Sequence, residues 1–165
     1  LSRLEEQGLI KTHRFKGAVV VGLSADEASE IFDLRALLEP EILRGAVPQM
    51  TDATKQTAII RCNDFSNSSD PLAWGGLNRI FHDTLYTDSS QTFTREVADK
   101  AMDRVDRYIR AVLLEGNGMQ RAKSEHLAIL EACLSGNADL AADLHREHIL
   151  GAKKTLLASF PTLSK

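Results

Sequence analysis

The sequence has few cysteines and no long apolar run. These two features argue against a disulfide-bonded protein and against a membrane-spanning one. Cys62 and Cys133 are the only cysteines among the 165 residues. They stand alone in patterns of helical spacing, without a CxxC pair, so we interpret them as reduced packing residues. No apolar run approaches the roughly 18 residues that span a bilayer. The sequence therefore predicts a cytoplasmic protein that is not inserted in a membrane.

Internal repeats and low-complexity segments are also missing from the sequence. At 165 residues and 18.2 kDa the chain has room for one core of ordinary size plus an appendage. A hydrophobic fraction of 43% is sufficient to fill that core. We therefore expect one main domain.

Positive charge is concentrated at the beginning of the chain. The net charge is -3, but residues 1–17 hold four basic side chains against two glutamates, which leaves about -5 for the rest. A basic end and an acidic body predict different binding partners. The basic residues of the first segment are Arg3, Lys11, Arg14 and Lys16.

Residues 1–23 have the pattern of a helix end followed by a β-hairpin. Leu1 and Leu4 precede Gly8, which is typical of the last turns of a helix and its glycine stop. The β-branched runs 9–14 and 18–21 then predict two strands with a basic tip. A helix followed by such a hairpin is typical of the back half of a winged helix. Because the pattern is already amphipathic at its first residue, we expect further residues of a longer protein upstream.

Residues 24–165 predict an all-α domain, an antiparallel bundle of about six helices. Ser24 and Glu27 form a capping box, and Thr51 is a second N-cap candidate. Asp70 and Pro71 predict the start of a helix that runs to about Thr87. Glycine-containing breaks at 116–118 and 135–137 separate the last three helices, and the short turn at 135–137 predicts that the last two are antiparallel neighbours.

Four polar residues of this bundle have the spacing of a buried metal site. Asn78 and His82 lie one turn apart on the helix predicted over 70–87, and His126 and His148 lie on two later helices. In the last helix, Leu140, Leu144 and His148 follow each other at intervals of four, which predicts that His148 points inward and His145 does not. A divalent cation would satisfy several buried imidazoles at once, and Asn78 could add an amide oxygen. The alternative is that each histidine is an ordinary core or half-exposed residue.

Arg35 allows two interpretations. Its guanidinium could bind an anion in bidentate fashion beside the proposed metal site. It could equally form an i, i+4 ion pair with Glu39 on a solvated helix face. A cation with open coordination positions would itself attract a small carboxylate.

Three sets of residues resemble a known family. The stretches 1–10 and 17–20 resemble the end of the recognition helix and the wing of GntR-type bacterial transcription regulators. The stretch 33–39 resembles the opening of their FadR-like effector domain, called FCD. Asn78 and His82, then Glu125 with His126, and then the stretch 146–149 match the order of that domain's metal motif, although Asn78 stands where many members have Asp.

The resemblance implies a transcription regulator, not an enzyme, with a partial winged helix over 1–23 and an effector-binding and dimerisation domain over 24–165. In such a homodimer, a small organic acid held at a zinc or nickel ion would change the spacing of two winged helices on operator DNA. Arg35 would then contact the effector. The implied metal ligands are Asn78, His82, His126 and His148, and the implied DNA contacts are Arg3, Lys11, Arg14 and Lys16.

Two alternatives remain open from the sequence. In the first, the regulator binds no metal and senses a larger ligand such as an acyl-CoA. In the second, the chain is a metal-dependent hydrolase in a helical bundle, which would need a general base near the metal. Asp83 and Glu125 neighbour the histidines in sequence but are predicted to point away from them.

Because the residues that would reach base edges lie upstream, we also expect this chain alone to bind DNA poorly.

Overall fold

The computed structural model of the chain describes residues 10–13, 17–20 and 22–163, with side chains over 22–159. Two short strands, β1 (Ile10–His13) and β2 (Gly17–Val20), pair antiparallel where the sequence predicts the hairpin. Lys11 lies opposite Val19 in this register. The predicted helix end over 1–8 lies outside the described residues.

The rest of the described chain is all-α, as predicted. It contains six α-helices and a short 3-10 turn over Val47–Gln49. The helices are α1 (Ala25–Ala46), α2 (Asp52–Asn67), α3 (Trp74–Leu85), α4 (Thr92–Leu114), α5 (Gly118–Leu134) and α6 (Ala138–Leu163). Within these described elements, no helix has the length and apolarity needed to cross a membrane.

Two predicted helix starts are confirmed by their caps. The hydroxyl of Ser24 accepts a hydrogen bond from the backbone N–H of Glu27 at 3.1 Å, at the start of α1. The hydroxyl of Thr51 accepts from the N–H of Thr54 at 3.1 Å, at the start of α2. Each hydroxyl satisfies one of the backbone donors that the first turn of a helix leaves unpaired.

The start of α3 differs from the prediction. The carboxylate of Asp70 accepts from the N–H of Leu72 at 2.9 Å, and its carbonyl accepts from the N–H of Ala73 at 3.0 Å. Asp70 and Pro71 therefore form a turn that leads into the helix, and α3 begins only at Trp74. At the other end, the N–H groups of residues 86 and 87 bond three residues back, which closes the helix before Thr87.

Two apolar clusters fill the bundle. The first contains Phe32, Phe65 and Leu156, and the second contains Phe81 and Ile129 among their fully buried members. Helix α1 packs along α6 and α4, α5 packs on α6, and α2 packs on α3. The ring of His126 lies 4.6 Å from those of both Phe65 and Phe81, so the predicted polar site lies where the two clusters meet.

Both cysteines are free and buried in this core. Burial raises the pKa of the Cys62 thiol and raises that of the Cys133 thiol to about 12. A thiol that stays protonated is a poor nucleophile, so the interpretation of both residues as packing groups agrees with the structure.

Candidate metal centre

Three imidazoles from three different helices converge at one point of the bundle. His82 lies on α3, His126 on α5 and His148 on α6. One ligand nitrogen from each ring can be chosen so that all three lie within 4.8 Å of one another. The ring centroids are 4.8 to 5.1 Å apart. This convergence is the arrangement that helical spacing predicted for the three histidines.

Asn78 lies beside this group of rings. It is buried, and it precedes His82 by one turn of α3. Asn78 and His148 line the same small cavity, together with Arg35 and Arg121. Asn78 and the triad therefore border a common cavity.

The buried imidazoles have nitrogens without protein partners. Among the described residues, none forms a hydrogen bond with either ring nitrogen of His126 or with Nδ1 of His82. Leaving a buried polar group unpaired costs about 1–3 kcal/mol, which a bound cation would remove. Burial lowers the pKa of both imidazoles well below the usual range, so both are neutral and have a lone pair to offer. The donor set therefore fits zinc or nickel.

Glu125 contacts the triad through His148 on α6, whereas the sequence relates it only to His126, from which it is predicted to point away. Its Oε2 lies 2.6 Å from Nδ1 of His148. Helical spacing relates Glu125 only to residues of its own helix, and the carboxylate reaches across to α6. Asp83 is different, because it lies 3.8 Å from the guanidinium of Arg79 and shows no such contact with a histidine among the described residues.

His145 is a fourth buried imidazole, and the prediction that it does not face inward is wrong. Its exposure is 0%, whereas Leu140 is 46% exposed. The buried face of α6 runs through alanines, Ala141 and Ala142, because α6 packs closely along α1. The spacing of the leucines therefore predicts the wrong buried face for α6. The i, i+3 spacing of His145 and His148 places both on one face of the helix and could have predicted that both are buried.

His145 belongs to a buried polar network beside the triad. Its Nε2 lies 2.5 Å from the hydroxyl of Tyr86, which donates to Oε2 of Glu39 at 2.9 Å. The side chains of Arg35 and Glu39 form the predicted i, i+4 pair at 2.6 Å, but the pair is buried and not on a solvated face. Burial alone would raise the pKa of Glu39, but Arg35 and His145 outweigh it and lower this pKa to about 2.

Arg35 also borders both small cavities that flank the triad. One cavity, of about 20 Å³, is lined by Arg35, Asn78 and His148, and the other, of about 10 Å³, by Arg35 and His82. Each has room for about one water-sized group. No side chain of the described part of the protein accepts a hydrogen bond from Nη1 of Arg35. A positively charged donor is thus left available beside the imidazoles.

Most of the predicted DNA-contacting residues lie outside the part of the chain that the structure describes. Arg3, Arg14 and Lys16 lie outside the described residues, and Lys11 is placed only by its backbone position in β1. Their assignment therefore stays a prediction.

Most of the helical domain matches the sequence profile of one protein family. Residues 30–151 match the sequence profile of the family described as FCD domain. This range contains α1 from its second turn onward, the triad, Arg35 and Glu125.

Two curated bacterial proteins are similar to the chain in sequence. The uncharacterised HTH-type transcriptional regulator BphR of Paraburkholderia xenovorans is 26% identical over an alignment length of 159, and the alignment covers 90% of this chain and 64% of that protein. The HTH-type transcriptional repressor GlaR of Escherichia coli is 22% identical over an alignment length of 161, and the alignment covers 91% of this chain and 73% of that protein. The chain thus spans slightly less than two thirds of the length of the first relative.

Solved structures have the same fold. A GntR family member from Pseudomonas syringae superposes with a TM-score of 0.75 at 22% identity, over 98% of this chain and 69% of that one. McbR/YncC of Escherichia coli superposes with a TM-score of 0.85 at 15% identity, over 96% of this chain and 81% of that one.

Proposed function

The chain belongs to the FCD-domain family of GntR-type transcriptional regulators, and we propose that it is the effector-sensing part of such a regulator. In this proposal, the helical domain binds a small organic acid at a metal-containing pocket and thereby controls operator binding. The observation that carries it is the convergence of three buried imidazoles, with unpaired nitrogens, beside an unpaired guanidinium N–H. Both curated relatives named above are described as transcriptional regulators, so we propose a regulatory role and no catalytic residue.

The residues proposed to hold the metal are Asn78, His82, His126 and His148. The first three lie in the buried interior, and His148 is 9% exposed. All four are uncharged donors when the imidazoles are neutral, so the site keeps the full charge of a bound zinc or nickel ion. When bound, such an ion attracts a carboxylate as a Lewis acid.

Arg35 is proposed to bind the effector. Its Nη1 can donate to a carboxylate in the cavity while its Nε keeps the hydrogen bond to Glu39 at 2.6 Å. Cavities of about 10 and 20 Å³ would have to widen to admit any organic ligand, and an acyl-CoA would require far more widening than a small acid, since drug-sized pockets measure about 300–1,000 Å³. The size of the cavities therefore favours the small-acid hypothesis over the acyl-CoA alternative.

The link to DNA is proposed through α1. This helix carries Arg35, and it begins at Ala25, shortly after strand β2 ends at Val20. A change at Arg35 would thus act on the helix that directly follows the proposed wing. We propose that two copies place their winged helices on a palindromic operator in the bacterial cytoplasm, and that the effector changes the half-site spacing that the dimer can read. In the first segment, Arg3, Lys11, Arg14 and Lys16 would contact the DNA backbone.

Metal analysis of the purified protein tests the site. We expect about one zinc or nickel ion per chain, and almost none in the double variant His82→Ala, His148→Ala, because two of the three imidazole ligands are lost. His13→Ala, in strand β1, is the control and should keep its metal. Unchanged metal content in the double variant would exclude this site.

Thermal unfolding with a panel of small carboxylates tests the effector class. A ligand at a hundredfold excess over its dissociation constant should stabilise the folded protein by about 2.7 kcal/mol. An acyl-CoA measured in parallel should give no shift. If the acyl-CoA alone stabilises the protein, the small-acid proposal is wrong.

A further inference from the structure

Glu125 is the only acidic side chain that contacts an imidazole of the triad within the described part of the chain. It lies on α5, and its Oε2 is 2.6 Å from Nδ1 of His148 on α6. Because a carboxylate accepts and does not donate, the contact requires Nδ1 to carry the proton. The neutral ring then has its lone pair on Nε2.

A second contact holds the carboxylate in place. The guanidinium Nε of Arg121 lies 3.5 Å from the other oxygen of Glu125, one turn away on the same helix. Arg121 is itself tied to α6, since its Nη1 donates to the hydroxyl of Thr155 at 2.7 Å. Glu125 is half-buried, with a side-chain exposure of 29%, and its partner His148 has a side-chain exposure of 10%. The pair is thus partly shielded from water, which would otherwise compete for both groups.

From this geometry we infer that Glu125 is a positioning residue of the metal site. It fixes the ring of His148 and selects the tautomer that presents Nε2 as the ligand atom. A carboxylate that accepts from the distal nitrogen of a ligating imidazole also makes that imidazole a stronger donor, and losing such a partner weakens metal binding about 10–100-fold. This inference rests on the proposed metal site.

The same contact places one negative charge close to a site whose proposed ligands are uncharged. The four proposed ligands carry no charge, and the negative charge of Glu125 lies behind His148, where it occupies no coordination position. The cation therefore gains a neighbouring anion and keeps open positions for a carboxylate effector. A carboxylate in place of Asn78 would add its charge by occupying one of those positions.

Zinc affinity of three variants tests the inference. Glu125→Ala removes both the charge and the acceptor, and we expect zinc to bind about 10–100-fold more weakly, measured by competition with a chromophoric chelator. Glu125→Gln keeps an acceptor oxygen and should recover part of that loss. Glu131→Ala, an exposed glutamate on the same helix, is the matched control and should bind zinc as the unaltered protein does. A zinc affinity in Glu125→Ala within about twofold of the control would overturn the inference.

A measurement without metal separates this inference from the proposed function. In metal-free protein with ¹⁵N-labelled histidine, the nitrogen shifts should show His148 protonated at Nδ1, and Glu125→Ala should lose this preference while Glu131→Ala keeps it. If the unaltered protein binds no zinc, the proposed function fails, and the tautomer still decides whether Glu125 orients His148. If zinc binds but the tautomer is the same in all three proteins, only the inference fails. Should Glu125→Ala not fold, Glu125→Gln gives the same comparison.

Discussion

At the scale of single residues, Asn78 decides how strongly the proposed centre holds its cation. An amide oxygen carries no formal charge, so it is a weaker ligand for a divalent ion than a carboxylate in the same position. The weaker ligand leaves more of the ion's charge for an anionic effector. Metal affinity and effector affinity are therefore expected to change in opposite directions at this position.

Replacing this amide with a carboxylate tests whether metal affinity and effector affinity change in opposite directions. Asn78→Asp should bind zinc at least about tenfold more tightly, because a charged oxygen replaces a neutral one, and should bind a small carboxylate more weakly. Chelator competition and calorimetric titration measure the two affinities. Asn63→Asp, at an exposed position of α2, should change neither. Equal strengthening of both affinities would contradict the argument.

A second residue-scale prediction concerns Glu39 and pH. Its pKa is about 2 in the folded protein against 4.5 for an unperturbed glutamate, because Arg35 and His145 outweigh the effect of burial. The folded state therefore holds this carboxylate ionised where the unfolded chain already binds a proton. The stabilisation is complete above about pH 4.5 and is lost as the pH falls toward about 2, with a full size of about 3 kcal/mol.

Urea unfolding of Glu39→Gln measures this contribution. The variant should be less stable than the unaltered protein near neutral pH, since Arg35 is then buried without a counter-ion. The difference in free energy of unfolding should shrink between about pH 5 and about pH 3. Glu30→Gln, an exposed position on the same helix, should differ little from the unaltered protein at every pH. A constant difference for Glu39→Gln would show that its charge state is not the cause.

At the scale of elements, the turn between α4 and α5 restricts the cavity beside the triad. Gly118 starts α5 and also lines that cavity. A Cβ placed on Gly118 would lie 2.1 Å from the backbone carbonyl oxygen of Val112. A carbonyl of α4 cannot move aside as a flexible side chain can, so only glycine fits between the two helices here.

Two glycine substitutions test whether only glycine fits between α4 and α5 at position 118. Gly118→Ala should destabilise the protein by at least about 1–3 kcal/mol, because α4 and α5 must separate to admit the methyl group. Gly76→Ala is the control, since nothing lies within 4 Å of its Cβ position in α3. There the usual helix preference for alanine should stabilise the protein by about 0.5–1 kcal/mol. Thermal unfolding of both variants gives the comparison, and a neutral Gly118→Ala would contradict it.

The starts of α1 and α2 and the helices that carry the histidines could be predicted from local pattern, whereas the start of α3 and the contacts between helices could not. Ser24 and Thr51 cap their helices through bonds that span three residues, so a short window of sequence contains the whole interaction. Leucine spacing predicts the wrong inward face of α6, because the face that packs along the bundle contains Ala141, Ala142 and His145, whereas Leu140 is exposed. The hydrogen bond that His148 donates to Glu125 joins two helices, and no spacing within either helix indicates it.

At the scale of the whole molecule, the candidate centre ties together helices that are otherwise joined by apolar packing. The triad takes one ligand each from α3, α5 and α6, and the neighbouring Arg35 comes from α1. The same point is where the two apolar clusters meet around His126. A cation held there would cross-link the parts of the bundle that pack on either side of it, so its binding energy would add to the stability of the whole domain.

Removing the metal should therefore lower the unfolding temperature of the entire domain. Free metal at a hundredfold excess over its dissociation constant contributes about 2.7 kcal/mol, which corresponds to roughly 5–10 °C for a domain of this size. We expect a chelator to lower the melting temperature by that amount and added zinc to restore it. The double variant His82→Ala, His148→Ala should melt at one temperature with or without chelator. If the variant responds to the chelator as the unaltered protein does, the cation that stabilises the domain is bound elsewhere.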